Sequence, residues 1–338
     1  TYVKAGGSIT NHGGSILAGD IVYLEAGADI TNKAYINSTI DGAAATSDAV
    51  SASNADNIRQ NLEAKGTISS DGDLVMIAAN DLNNIASDII TTGLNTAYSG
   101  EAHIEATAGD VNIVTDTLRN RTVRRWHSKK NRGTSINDTT TNISSDLNLA
   151  GDLTIISGND TNIRGSNIAV GGALIADSTG DLTIESVEDS TYNYYANYKR
   201  GSFGRRSKSI SESTKITNIA SNIEAAGGIN ANSAGDINIK ASKLKSLVGD
   251  INITAANALN IISASDSLES QTISSRSGLT TRTNSSTINN VITQIASDIS
   301  AENGNLSLLS GDDTTIIASD ISGNDINIKV GSYIDEAT

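Results

Sequence analysis

Gly151-Asp152-Leu153-Thr154-Ile155 and Gly180-Asp181-Leu182-Thr183-Ile184 are one five-residue phrase written twice. Within it, large aliphatic residues alternate with a short polar one, the period-2 pattern of a strand with one face buried. Leu153 and Ile155 are predicted to point inward and Thr154 outward. The preceding Gly-Asp reads as a corner, because glycine tolerates positive φ and aspartate bonds backbone N–H groups of a tight turn. Each such aspartate is therefore expected to cap its own turn.

Working outward, the phrase recurs as Gly19-Asp-Ile-Val-Tyr-Leu, Gly72-Asp-Leu-Val-Met-Ile, Gly109-Asp-Val-Asn-Ile, Gly235-Asp-Ile-Asn-Ile and Gly249-Asp-Ile-Asn-Ile. A strand of about five residues with a corner closes no core alone, but coils stacked about 4.8 Å apart do. The predicted fold is all-β: a right-handed parallel β-helix (β-solenoid) running through residues 1–338, with extra-helical hairpin excursions. Only Asp48 to Ala64 is open to a helical reading.

Composition agrees. The 338 residues contain no proline and no cysteine, and aromatics are 3% against 37% hydrophobics. Many thin aliphatic layers suit that mixture better than one compact core. A proline would also remove a donor from a central strand. Without disulfides, stability must come from packing and backbone pairing. Thr1 in the place of a methionine suggests a piece of a longer protein.

A longer period overlies the short one. Ile143-Ser-Ser-Asp-Leu returns as Ile219-Ala-Ser-Asn-Ile and Ile295-Ala-Ser-Asp-Ile, each 76 residues on. This places long repeats at about 68–142, 143–218, 219–294 and 295–338. Arg124, Arg200 and Arg276 keep the same spacing, as do Lys130, Arg206 and Arg282. Trp126 corresponds to Phe203 and Leu279 with a one-residue slip. Each repeat therefore carries one polar excursion, at about 115–142, 188–218 and 265–294, with an earlier one at about 37–61. They read as β-hairpins that either lie against the rod or project from it. With about 25 residues in each excursion, the remaining chain makes about a dozen coils, near 60 Å of rod.

Charge is segregated. The net charge is −14, yet 119–133 holds seven basic residues and 192–208 holds five, with no acid in either. Two short basic segments on an acidic body are the most functional-looking feature. Arg124, Arg125, Trp126, Lys129 and Lys130 in one, and Tyr192, Tyr194, Tyr195, Tyr198, Lys199, Arg200, Phe203, Arg205 and Arg206 in the other, are candidate contacts to anionic surfaces or glycans. Arginine forks match phosphate and sulfate, and tyrosine stacks on sugar rings or settles at a membrane interface. The same residues also suit folding back onto the acidic rod, and both readings stand.

Other chemistry finds little support. His12, His103 and His127 are far apart, so no metal-ligand or nucleophile spacing is present. A glycosidase needs two close carboxyls beside a sugar groove, whereas Asp152, Asp181, Asp236 and Asp250 all follow corner glycines. The tandem Gly-Gly-x-Gly-x-Asp of a calcium β-roll is missing. The chain is read as no enzyme, with no catalytic residues, cofactor or metal, and its charge argues against nucleic acid.

The residues quoted resemble the haemagglutinin-repeat region of filamentous haemagglutinin and contact-dependent growth inhibition exoproteins. Ser8-Ile-Thr-Asn-His-Gly-Gly-Ser-Ile-Leu-Ala-Gly-Asp, the Gly-Asp-Leu-Thr-Ile strands and the basic segment before Ile143 or Ile219 carry the likeness. The resemblance implies a right-handed parallel β-helix, a two-partner secretion transporter in the outer membrane, and a secreted or cell-surface role in adhesion or toxin presentation. A stalk that presents binding or toxin regions is the leading function. Engagement of a target cell's glycan, lipopolysaccharide or membrane during delivery is the alternative, and a polysaccharide-acting enzyme comes third. The third excursion departs from the pattern, with only Arg276 and Arg282 and no aromatic.

Overall fold

The computed structural model describes residues 1–40, 43–46, 57–95 and 97–331. Every regular element among them is a strand. Three parallel sheets of ten, nine and nine strands stack coil on coil, and a fourth, nine-stranded sheet is antiparallel. The chain is a parallel β-helix. One coil runs through Leu153–Ser157 on the first sheet, Thr161–Arg164 on the second and Asn167–Val170 on the third. Leu174–Ser178 then begins the next coil beside Leu153–Ser157.

Alternation decides which side chains enter the core. Leu153 and Ile155 are fully buried, and Thr154 between them is half-exposed. One apolar cluster, from Val22 to Leu308, takes its members from all three parallel sheets. Its layers repeat aliphatic on aliphatic, as in the Met76, Ile104, Ile155 column. Asparagine breaks this rule near the start. Asn11 donates to Asn32 and Asn32 to Asn84 (2.8 and 2.7 Å), all three buried, before Ile113 takes over the column. Each amide satisfies its neighbour, which is what makes the burial tolerable.

The corner aspartates do something other than cap their own turns. Asp81 Oδ1 accepts the N–H of Asp110, Asp110 that of Asp160, and Asp160 that of Asp181. Asp181 then accepts from Asp236, and Asp236 from Ala258, all at 2.8–3.1 Å. At coil spacing, the next coil's N–H lies as near as the aspartate's own, so the carboxylates tie coil to coil.

The 76-residue period resolves into two unequal coils. Leu153 pairs with Leu174, 21 positions on, and Leu174 with Ile229, 55 positions on. Short and long coils alternate, and their difference lies at one corner, between the second and third sheets. In short coils this corner is a tight turn through Gly13, Ala86, Gly165, Ala241 or Ala318, all with φ between 44° and 63°. In long coils a hairpin leaves there; the first long coil returns through Gly66 and the other three return to a buried serine. Ser221 Oγ lies 2.8 Å from Glu185 O and 3.2 Å from Ile163 O, and Ser145 and Ser297 bridge two coils' carbonyls likewise. These serines belong to the motif whose recurrence marks the long repeat.

Three hairpins leave in this way: Asp116–His127 with Asn131–Ile143, Val187–Arg200 with Arg206–Ile219, and Ala264–Ser277 with Arg282–Ile295. The earlier excursion contributes Tyr35–Ile40, Ala43–Thr46 and Asn57–Ala64, the rest of it lying outside the described residues. The helical reading of 48–64 fails where it is described, since Asn57–Ala64 is a strand. Two longer arms per hairpin use more chain than a 25-residue excursion. The described rod accordingly has ten rungs on its longest sheet instead of about a dozen coils, roughly 43 Å at the sheet spacing.

Candidate anionic-surface binding site

The hairpins neither lie singly on the rod nor stand apart: they pair with one another. Asn131–Thr140 runs antiparallel to Ser190–Lys199, and Arg206–Ile216 to Ser267–Ser277. A hairpin is two strands wide, about 9.6 Å, and two coils rise by the same amount. A hairpin on every second coil therefore fills the axial space without gap or clash. Their bases are stapled as well. Asn142 donates both its backbone N–H and its amide to Asp189 (2.7 and 2.9 Å), and Asn218 does the same to Asp266 (2.7 and 3.1 Å).

Charged pairs hold the middle of the sheet. Asp138 receives Arg119 through two bonds of 3.0 and 2.8 Å, and Arg121 through one of 2.6 Å. The Arg119 bond, aided by Arg121 and opposed by partial burial, holds the Asp138 carboxyl below its usual range. Burial and a 3.0 Å bond to Glu212 push the Tyr192 hydroxyl up to about 12. A carboxyl lowered in the folded state stabilises fully above its unfolded value of 3.8, and that stabilisation fades as pH falls through the lower folded value. Protection of the 116–143 amides, taken relative to unfolded amides at the same pH, is thus expected to fall on acidification below roughly pH 4. Asp138→Asn should remove that acid-dependent part while leaving exchange in the rod unchanged. An identical acid profile in the variant would show that the Arg119 and Arg121 bonds contribute nothing.

At the tips the three hairpins enclose a cleft of about 540 Å³. Arg132, Tyr198, Lys208 and Ser275 lie in register across it, with Arg200, Arg206, Ser277 and Arg282 one rung beyond. The Arg132 guanidinium sits 5.4 Å and the Lys208 ammonium 5.8 Å from the centre of the Tyr198 ring. The ring's negative face offsets repulsion between two cations held close. Among the described residues, no aspartate or glutamate lines the cleft.

Antiparallel register divides the fourteen candidates between two faces, since neighbours along a strand point oppositely. Arg125, Tyr192, Tyr194, Tyr198, Arg200 and Arg206 share one face; Arg124, Trp126, Tyr195 and Lys199 share the other. Lys129 and Lys130 form the first hairpin's turn; Phe203 and Arg205 lie in the second's. Of the fourteen, Lys129, Lys130, Tyr198, Lys199, Arg200 and Arg206 line the cleft. Trp126 instead lies over Gly133, where any Cβ would collide with the indole, and its ring reaches Tyr195 at 5.7 Å. Its equivalence with Phe203 fails: Phe203 sits in a turn at φ 56° and is 82% exposed.

Arg132, Lys208, Arg282 and His127 also line the cleft but were not among the fourteen candidate contacts. The 76-residue spacing of Lys130, Arg206 and Arg282 was the available signal, for all three converge on the cleft. The third hairpin, poor in basic residues, supplies a wall through Ser275, Ser277 and Arg282. Among the described residues, no three or more of His, Asp and Glu converge as a metal site.

A parallel β-helix that carries an antiparallel sheet of regularly spaced hairpins, with cations gathered at their tips, defines a repetitive rod with a decorated flank. The chain belongs to the hemagglutinin-repeat family, whose model matches residues 7–203, 202–278 and 277–335. The family is structural and adhesive, made of segments of large secreted surface exoproteins. No curated protein and no solved structure matches the chain.

Proposed function

We propose that this chain is a stalk segment of a bacterial surface exoprotein that sets the reach of binding or toxin regions carried elsewhere in the same protein. On this reading an outer-membrane two-partner secretion transporter exports it as an extended chain. The observation that carries the proposal is the strict alternation of short and long coils, which adds length by fixed increments while keeping the hairpins in one continuous sheet. Inserting a second copy of 219–294 after Gln294 should lengthen the particle by about 9.6 Å, two coils at the sheet spacing. Small-angle scattering on the two chains measures this. An insertion that leaves the maximum dimension unchanged would sink the stalk reading.

A second reading is favoured by the cleft: eight lysines and arginines gather there on a chain of net charge −14. In it the hairpin tips engage the anionic outer leaflet, lipopolysaccharide or glycan of a target cell during toxin delivery. Arginine forks and the ammonium groups beside Tyr198 suit phosphate-bearing headgroups.

A further inference from the structure

Every residue lining the cationic cleft lies in one of the three hairpins, so among the described residues the chain's own rod does not enter it. Of the two uses open to the basic segments, folding back onto the rod therefore does not fill this cleft. The hairpin strands stack along the rod axis, and their cations stack with them. Arg132, Arg200, Lys208 and Arg282 stand on the first, second, third and fifth of five successive strands, each about 4.8 Å from the next.

The acidic rod carries the complementary row. Asp29, Asp81, Asp110, Asp160, Asp181 and Asp236 hold the corner between the first and second sheets on six successive coils, again about 4.8 Å apart. Each accepts a backbone N–H of the next coil with Oδ1, and among the described residues nothing bonds to its second oxygen. Asp181 is exposed and the other five are half-exposed. The residues before them, Ala28, Asn80, Gly109, Asn159, Gly180 and Gly235, are small and uncharged, which leaves the ridge open to close approach.

We infer that the cleft of one chain receives the aspartate ridge of a second copy, with the two rods side by side and their axes aligned. Two rows of opposite charge and equal spacing match over several coils at once, and arginine forks engage carboxylates well. The hairpins leave one corner of the rod and the ridge follows another. The contact is therefore heterologous: each chain offers its cleft to one neighbour and its ridge to a different one. Such a contact bundles rods laterally instead of stopping at a pair. This goes beyond the stalk reading and does not depend on it, and it gives the cleft a protein occupant in place of a membrane.

Sedimentation velocity at low salt tests this with two variants of the 338-residue chain. Arg132→Gln, Arg206→Gln, Lys208→Gln and Arg282→Gln together remove four cations from the cleft. Asp110→Asn, Asp160→Asn, Asp181→Asn and Asp236→Asn together neutralise the ridge and keep an Oδ1 acceptor for each tie between coils. The parent should form species larger than a dimer that disperse as salt rises. Each variant alone should associate about a hundredfold more weakly. An equimolar mixture should pair one to one and go no further, since it offers intact clefts on one chain and intact ridges on the other. Carbodiimide coupling of mixed light and heavy isotope-labelled parent needs no variant to fold. It should join Lys130 or Lys208 of one chain to a ridge aspartate of another. A parent that stays monomeric at about 100 µM overturns the inference, and vesicle binding by that monomer gives the cleft to the membrane. A folded ridge variant that associates as the parent does overturns it as well, because the contact then lies elsewhere, the rod ends included. Coupling found only within single chains has the same consequence.

Discussion

Replacing Leu153 and Ile155 together by aspartate is expected to split the rod at its centre. Both side chains are fully buried in the column between Ala102, Ile104 and Leu174, Ala176, four aliphatic neighbours that offer no countercharge. An uncompensated buried charge destabilises by about 3–5 kcal/mol, and two in one coil exceed what a single rung contributes. In a solenoid each coil is held chiefly by its neighbours. Damage should therefore spread to the flanking coils, and also to the hairpin sheet, whose first and second members straddle this coil. Leu153→Asp with Ile155→Asp should lose a cooperative thermal transition and become sensitive to proteolysis between about 140 and 190. Thr154→Asp, one residue away and outward, should melt near the parent temperature. Equal melting of the double variant and the parent would refute the inward assignment.

Removing the charge of Arg132, Arg206, Lys208 and Arg282 by substitution with glutamine should weaken binding to outer-membrane vesicles by about a thousandfold at low salt. Each cation near an anionic surface contributes about 1 kcal/mol, so four contribute about 4 kcal/mol, close to three decades in Kd. The loss should shrink at high salt, where screening has already weakened the parent. Glutamine keeps most of the aliphatic stem that packs against Tyr198, so the sheet should stay folded, and its strand amides should remain protected against exchange. A control substitutes Lys245, whose ammonium is engaged by Glu302 at 2.9 Å on the rod, and should bind as the parent does. Unchanged vesicle binding in the fourfold variant would leave the cleft without a role at the membrane and the segment as a plain stalk.

The inward and outward positions were legible because period-2 alternation is local: Leu153, Thr154 and Ile155 report their own burial. The 76-residue period was legible for the same reason, since Ser145, Ser221 and Ser297 recur as identities in the chain. The asparagine column escaped, because Asn11, Asn32 and Asn84 look like surface residues until each is seen to donate to the next across coils. The aspartate ladder escaped likewise. Nothing near Asp160 in sequence announces that its acceptor serves Asp181, 21 residues away.

By itself the sequence determined that this protein is a stack of short aliphatic strands with a polar excursion in each long repeat, because alternation, corners and repeat length are written in neighbouring residues. Only the tertiary structure decided that the excursions join edge to edge. That outcome depends on a metric coincidence, two hairpin strands matching the rise of two coils, and no residue encodes it alone. The same stacking chose which cations meet. Lys130, Arg206 and Arg282 are 76 residues apart in the chain yet line one cleft, because each period returns the backbone to the same flank, two rungs further along.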